Sequence, residues 1–228
     1  MAARDTHIGI LNVLRTLQEV NLLYFYLEPI IIRAGEVEMV TWPHHRVGAE
    51  HNEDSAFATL LQYQRTLEEN SYLAVLRDGA IIRGNYVFKR GDLVKHSLWY
   101  WPCPFEIPPV DITQETPLGA LDLYCSSWRE SVRFRTPLRF DYDPGREKAG
   151  HPASHLHIQT AECRIAVVRP LGFATFVRFV FRHFLPGGWQ STDIWEDLSD
   201  ELEENNRSCL ASSDLYSPHI DWSRSVKE

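Results

Sequence analysis

The sequence predicts a single-domain α+β protein in which helices pack on an antiparallel, meander-like sheet of about five or six strands. The chain has 228 residues, 44% of them hydrophobic and 12% aromatic, which is enough for one sizeable core but short for two. Three β-forming segments near its middle are separated by short turn sequences, as in hairpins that follow one another. No repeat or linker divides the chain, so residues 1–228 are interpreted as one domain.

The amino-terminal part begins with a predicted helix from about Ile8 to Leu27, which Pro29 ends. Apolar residues recur on one face of this helix, at Ile10, Val13, Leu14, Leu17, Val20 and Tyr24. A short strand is expected near Val37 to Trp42, followed by a polar surface loop over residues 43–54. Ser55 is a candidate cap for a second helix. That helix would carry Phe57, Leu60, Leu61 and Leu67.

The clearest β signal consists of three predicted strands, Tyr72 to Leu76, Ala80 to Phe88 and Leu93 to Trp101. Asp78-Gly79 and the polar segment 89–92 lie between them and predict two hairpins in series. Because alternate residues of a strand lie on one side, the second and third strands each present an apolar face. These faces contain Ile82, Tyr86 and Phe88 on the second strand, and Val94, His96, Leu98 and Tyr100 on the third. His96 is therefore interpreted as a hydrogen-bonded core histidine.

The carboxyl-terminal half adds helices and further strands. A helix is predicted to start at Thr116-Pro117, because proline at the first helical position loses no needed hydrogen bond. Pro170 opens another helix, which Pro186 stops. Further strands are expected at 132–142, 155–159 and 163–168. An acidic helix near Asp193 is expected to form a carboxyl-terminal extension from about residue 189.

Charge and motif content exclude several classes of function. The net charge of -8 argues against a broad electrostatic footprint for nucleic acid. No apolar run approaches the roughly 20 residues that span a bilayer, and the amino terminus lacks the apolar core of a signal peptide, so we expect a cytoplasmic protein with no membrane partner. The four cysteines are widely spread and are expected to be reduced thiols. Neither a dinucleotide fingerprint nor a Walker loop is present, so no dinucleotide cofactor is expected.

One polar segment, residues 139–164, contains the residue types that chemistry needs. Arg139, Asp141 and Asp143 alternate along a predicted strand and can therefore face one side. His155 and His157 alternate in the same way on a later strand. Two imidazoles spaced this way, together with a carboxylate such as Asp141, form a 2-His-1-carboxylate set that suits a divalent transition metal.

The alternative chemistry for this segment needs no metal. His151 and His155 could act as acid and base, because an imidazole titrates near neutral pH, with Asp141 or Asp143 orienting one of them. Arg139 and Arg164 could then bind an anionic group. Under the alternative interpretation, the aspartates cap the turn that starts before Pro144, and the cluster is a structural polar network.

A second histidine group, in the loop 43–54, could add ligands but is also typical of a solvated loop. It contains His44, His45 and His51 with Glu50 and Glu53.

The same residues resemble a bacterial family of unknown function, DUF2290. The similarity includes residues 137–143, 151–156, 163–165 and 176–184, and it extends over most of the chain after about Ile30. It implies a bacterial protein with one compact domain and no particular activity. A shorter similarity links the Arg-x-Asp, His-Pro and His-x-His pattern to TumE-like toxins.

Two functional hypotheses follow. The first is a toxin-like or defence-associated phosphodiesterase or nuclease that acts on RNA through the cluster of residues 139–157. Because the chain is acidic, this hypothesis requires Arg169, Arg178 and Arg182 to gather near the site. The alternative is a non-enzymatic interaction or regulatory protein, in which the cluster is structural and the acidic helix binds a protein partner.

Overall fold

A computed structural model describes residues 3–45, 59–126, 128–160, 162–198, 208–212 and 214–221. Its helices are α1 (Ala3–Glu19), α2 (Leu60–Glu68), α3 (Pro109–Cys125), α4 (Trp128–Ser131), α5 (Phe173–Phe184) and α6 (Pro186–Gln190). Its strands are β1 (Leu23–Tyr26), β2 (Ile30–Ala34), β3 (Val37–Thr41), β4 (Ala74–Leu76), β5 (Ile81–Lys89), β6 (Asp92–Trp101), β7 (Leu138–Tyr142), β8 (Ser154–Ile158), β9 (Ile165–Val167) and β10 (His219–Ile220). None of the helices in the described ranges has the length and hydropathy to cross a bilayer.

All ten strands belong to one sheet, so the prediction of five or six strands was too low. The main path runs β1-β4-β5-β6-β7-β8-β9-β10, and the β2-β3 hairpin joins it through β5. Every pairing is antiparallel except that of β9 with β10. The predicted pair of hairpins, β4-β5 and β5-β6, is confirmed.

The first predicted helix was too long. Helix α1 ends at Glu19, and Asn21 then takes a left-handed backbone conformation with φ 62°, which an α-helix cannot contain. Leu23–Tyr26 leaves as β1 and pairs with β4, although Tyr24 continues the helical spacing. Tertiary pairing therefore overrides a local periodicity of one turn.

Helix starts and the carboxyl terminus also differ from the sequence-based expectation. The cap of α2 is Thr59, in a capping box with Gln62, while the predicted cap Ser55 lies outside the described residues. The helix expected from Thr116 is the second part of α3, where Thr116 itself has φ 72° and marks a kink. Instead of a long acidic helix, the described residues contain a short 3-10 helix, Ile194–Glu196, and residues 199–207 lie outside the description.

One face of the sheet carries the main hydrophobic core, as predicted. Tyr86, Leu98, Phe140 and Leu156 point to this face and are almost fully buried against α1 and α5. The residues that helix α5 buries in this core are Phe173, Ala174, Phe176, Val177, Val180 and Phe181. The prediction that His96 is a core histidine is confirmed: it is fully buried, and its Nε2 accepts the backbone N–H of Leu171 at 2.9 Å.

The opposite face of the sheet divides into an apolar part and a polar part. Ile81 and Trp101 lie at one end of this face and pack with Tyr63 of α2 and Leu121 of α3 in a second core. Farther along the same strands, alternation places polar residues on this face. They are Arg83, Asn85, Ser97, Trp99, Arg139, Asp141, His155 and His157. The polar half of this face is where the sequence-predicted cluster assembles.

Candidate metal centre

Antiparallel pairing of β7 with β8 brings the predicted cluster together. In this register Asp141 lies opposite His155, and Arg139 lies opposite His157. Directly opposed residues of an antiparallel pair project to the same side of the sheet at short range. This pairing places Arg139 and Asp141 on the same face of the sheet as both histidines.

Three ligand atoms converge between these strands. Nε2 of His155 lies 2.9 Å from Nε2 of His157, and the same His157 atom lies 3.2 Å from Oδ2 of Asp141. One potential ligand atom from each residue lies within 4.8 Å of the other two. Ligand atoms about 2.1 Å from one ion and at right angles to each other would lie about 3.0 Å apart. The two measured separations thus match adjacent positions of an octahedral ion.

Hydrogen bonds behind the ligand atoms fix their orientation. His155 Nδ1 lies 2.7 Å from the carbonyl oxygen of Pro152, which can only accept, so Nδ1 carries the proton and Nε2 presents a lone pair. Ser97 Oγ donates to Asp141 Oδ1 at 2.7 Å and accepts from Trp99 Nε1 at 2.9 Å. Such outer contacts are typical of metal-binding histidines and carboxylates.

Burial controls the protonation of this group. His155 and His157 are each 2% exposed. Burial lowers the pKa of His155 to about 4, although the charge of Asp141 opposes the change, so the ring is neutral at pH 7. Burial by itself would raise the pKa of Asp141. The hydrogen bond from His157 and the charge of Arg139 outweigh it and hold that pKa well below its usual value. A neutral imidazole and an ionised carboxylate are the forms that bind metals.

Arg139 forms an ion pair with Asp141 of the cluster. Its Nε lies 2.7 Å from Asp141 Oδ2, and its guanidinium lies 4.8 Å from the centre of the Trp99 ring. The side chain is only 6% exposed. A phosphate would have to displace Asp141 to reach Nε, so Arg139 fits the orientation of a ligand better than the binding of a substrate.

The remaining predicted site residues lie around the cluster at different distances. His151 is half-buried, and its ring centre is 4.8 Å from that of His155. Burial, followed by the charge of Arg164, lowers the pKa of His151, so the half-buried Arg164 lies close to this ring. Asp143 lies beyond the end of β7 and pairs with Arg146 at 3.5 Å. Alternation predicted Asp143 on the same face, but the strand ends before it.

Other predicted basic and histidine groups lie away from the cluster. Arg178 and Arg182 belong to α5, which packs on the opposite face of the sheet. They therefore do not gather at the site. In the second histidine group, His45 bonds through Nδ1 to the Thr41 hydroxyl at 2.9 Å, and His44 is exposed. The members at positions 50, 51 and 53 lie outside the described residues.

The sequence did not indicate a role for Ser97 or Trp99, which orient Asp141. It also did not indicate Arg83, whose guanidinium lies 4.6 Å from the ring centre of Trp42 and 5.7 Å from that of Trp99. Ser97 and Trp99 alternate with Leu98 in a strand that the sequence does predict, so their position on the opposite face could have been inferred. Their alignment with Asp141 depends on the β6-β7 pairing, which has a long connection and no turn signal.

The fold and this site define a mixed α/β protein with a possible metal-chelating triad on an antiparallel sheet. Residues 22–222 match the family model described as an uncharacterized conserved protein, DUF2290, and the chain belongs to that family. No curated protein and no solved structure matches the chain. The resemblance noted from residues 137–184 is thereby confirmed for DUF2290.

Proposed function

We propose that this chain binds a divalent transition-metal ion through Asp141, His155 and His157 and hydrolyses phosphodiester bonds with it, as a toxin-like or defence-associated nuclease would. The observation that carries the proposal is the convergence of two Nε2 atoms and one carboxylate oxygen at octahedral ligand spacing. The hydrogen bond from His155 Nδ1–H to the Pro152 carbonyl also supports a metal site, because it directs the lone pair of Nε2 toward the other ligands.

The residues around the triad have separate roles in this proposal. When bound, a divalent ion supplies Lewis acidity and lowers the pKa of a water molecule. Arg164 is half-buried, and the outer nitrogens of its guanidinium can donate to a phosphate oxygen. His151 is half-buried beside His155 and can pass a proton to the leaving oxygen. Arg139 and Ser97 hold Asp141 in place.

The metal-free version, with His155 as acid or base, has less support. Burial lowers the pKa of His155 to about 4, too low for an efficient base at neutral pH. Both ring nitrogens are also engaged, Nδ1 with Pro152 and Nε2 with His157. Of the two histidines proposed for acid-base work, His151 alone is accessible enough for it.

A structural network is the second candidate, in which the protein is non-enzymatic and acts through a partner. The continuous series of contacts from Trp99 through Ser97, Asp141 and His157 to His155 favours it. A buried polar network of this kind can fix strand register without any catalysis.

Metal content and nucleic-acid cleavage, measured together, test the proposal. Purified protein and its His155→Ala variant would be analysed for bound metal and assayed on RNA and DNA with and without chelator. His183→Ala is the matched control, because His183 is exposed on α5. We expect about one equivalent of metal in wild type and control, lost in His155→Ala, with chelator-sensitive cleavage. A metal-free, inactive wild type whose His155→Ala variant is merely less stable would favour the structural network.

A further inference from the structure

A cavity lined by residues of both hydrophobic cores has the properties of a ligand site. Its volume is about 580 Å³, within the range of small-molecule sites. Apolar side chains form most of its wall, including Phe105, Ile107, Leu138, Ile158 and Phe184. Leu138 and Tyr100 oppose each other in the β6-β7 pairing, on the sheet face opposite the metal centre. The cavity is therefore a second, separate site.

Three charged residues line this apolar space, and one of them, Glu106, is already paired with Arg133 at 2.6 Å, which leaves Asp78 and Arg135. Asp78 lies in the β4-β5 turn, where its Oδ1 accepts the backbone N–H of Ala80 at 3.0 Å. Arg135 reaches the cavity from the segment before β7, and its Nη1 makes one long contact of 3.5 Å with the carbonyl oxygen of Cys103. Within the described residues no ion pair joins Asp78 to Arg135, so both charges retain capacity for a ligand.

Tyr100 adds a buried polar group to the same wall. The residue is 3% exposed, lines the cavity, and lies with its ring centre 5.4 Å from that of Phe184. Asp78 and Arg135 both act electrostatically on this phenol, which indicates that the three polar ends lie near one another.

We propose that this cavity binds a small zwitterion with an apolar side chain, such as an aromatic α-amino acid. The ligand ammonium would pair with Asp78 and donate a hydrogen bond to the Tyr100 hydroxyl oxygen, while the ligand carboxylate would pair with Arg135. The apolar side chain would occupy the space between Phe105 and Leu138.

Simpler ligands match the lining less well. An apolar amine would satisfy Asp78 but bring its positive charge beside Arg135, and an apolar carboxylate would meet Asp78 with a like charge. A purely apolar molecule would offer no polar partner to Asp78, Arg135 or the Tyr100 hydroxyl. A ligand with both charges satisfies all three groups.

Calorimetric titration with three matched compounds tests this inference. The compounds are L-phenylalanine, 2-phenylethylamine, which lacks the carboxylate, and 3-phenylpropionate, which lacks the ammonium. Loss of one charged contact weakens binding by about tenfold or more. We expect L-phenylalanine to bind at least about tenfold more tightly than either analogue. Absence of binding by L-phenylalanine, or equal binding of the three, would overturn the proposal.

Variants assign the binding to the cavity. Asp78→Asn keeps the acceptor for Ala80 and should remove the advantage of L-phenylalanine over 3-phenylpropionate. Arg135→Gln should remove its advantage over 2-phenylethylamine, whereas Arg33→Gln, an exposed arginine of β2, should change nothing. Leu185→Trp should block all binding by filling the rim. Unchanged thermal unfolding of each variant checks folding, and binding that survives Leu185→Trp would place the ligand elsewhere and contradict the inference.

Discussion

His155 and His157 face each other through their Nε2 atoms at 2.9 Å, which is possible only if one of the two atoms carries a proton. The Pro152 carbonyl fixes the proton of His155 on Nδ1, so His157 Nε2 is the donor. That same Nε2–H also lies 3.2 Å from Asp141 Oδ2. One shared proton therefore occupies the position between the three atoms where a metal ion would bind.

Metal binding at this position should depend on His157 Nε2. At neutral pH His155 is neutral and Asp141 is ionised, so the proton on His157 Nε2 is the one that an ion must displace, and this proton can move to Nδ1 of the same ring. We expect His157→Ala to lose binding of Zn²⁺ or Mn²⁺, whereas His183→Ala, an exposed histidine, should keep it. Calorimetric titration of each variant with the metal measures this difference. Unchanged binding by His157→Ala would contradict a site built on His157 Nε2.

Removing the carboxylate of Asp141 should destabilise the fold strongly. Arg139 is 6% exposed and would lose its counter-ion, and breaking a buried pair in this way costs about 3 kcal/mol. Asp143→Asn is the matched control, because Asp143 pairs at 3.5 Å with Arg146, whose side chain is 62% exposed, and such pairs contribute about 1 kcal/mol or less.

Urea unfolding of Asp141→Asn and Asp143→Asn compares the two costs directly. Equal free energies of unfolding for the two variants would show that the Arg139–Asp141 pair does not act as a buried ion pair.

Much of the site could be predicted from strand alternation, and the rest depended on pairing. Alternation placed His155 with His157 and Arg139 with Asp141, because each pair lies within one strand. It failed for Asp143, since the strand ends at Tyr142, and local sequence gives no reason for that end. The alignment of Asp141 with Ser97 results from long-range pairing, which no local pattern encodes.

The strands could likewise be predicted where a local turn sequence specifies them, and not where they depend on long-range pairing. The hairpins around Asp78-Gly79 and residues 89–92 have turn sequences that specify them, and both were predicted. Strands β1 and β2 were missed because β1 continues the helical spacing of α1 and β2 is a short apolar run after a proline. The two-residue strand β10 exists only through its parallel pairing with β9.

Acid should destabilise the protein before its carboxylates titrate. Burial lowers the pKa values of His96 and His155 from 6.5 to about 4, so the unfolded chain binds more protons than the folded chain between these pH values. Their contribution is fully present above about pH 6.5 and is lost as the pH falls toward about 4. It amounts to at most about 3 kcal/mol for each histidine.

Urea unfolding at pH 7 and pH 4.5, in chelator, measures this loss. His155→Gln should reduce the pH dependence, and His183→Ala, an exposed histidine, should leave it unchanged. A His155→Gln variant with the full wild-type pH dependence would mean that His155 does not titrate with folding.

Arg83 should tolerate replacement by methionine better than by lysine. The residue is 7% exposed, its guanidinium lies between the rings of Trp42 and Trp99, and its Nε has no hydrogen-bond partner among the described residues. Burial lowers its pKa to about 10, which reflects the cost of holding this charge away from water. Lysine would keep that cost and lose the planar stacking, so Arg83→Lys should destabilise the fold by about 2 kcal/mol. Methionine fills a similar volume without a charge, and Arg83→Met should change stability by less than about 1 kcal/mol.

Urea unfolding of both variants measures the two free-energy changes, with Arg33→Met as the exposed control. A larger loss for Arg83→Met than for Arg83→Lys would show that the positive charge itself is needed on this face of the sheet.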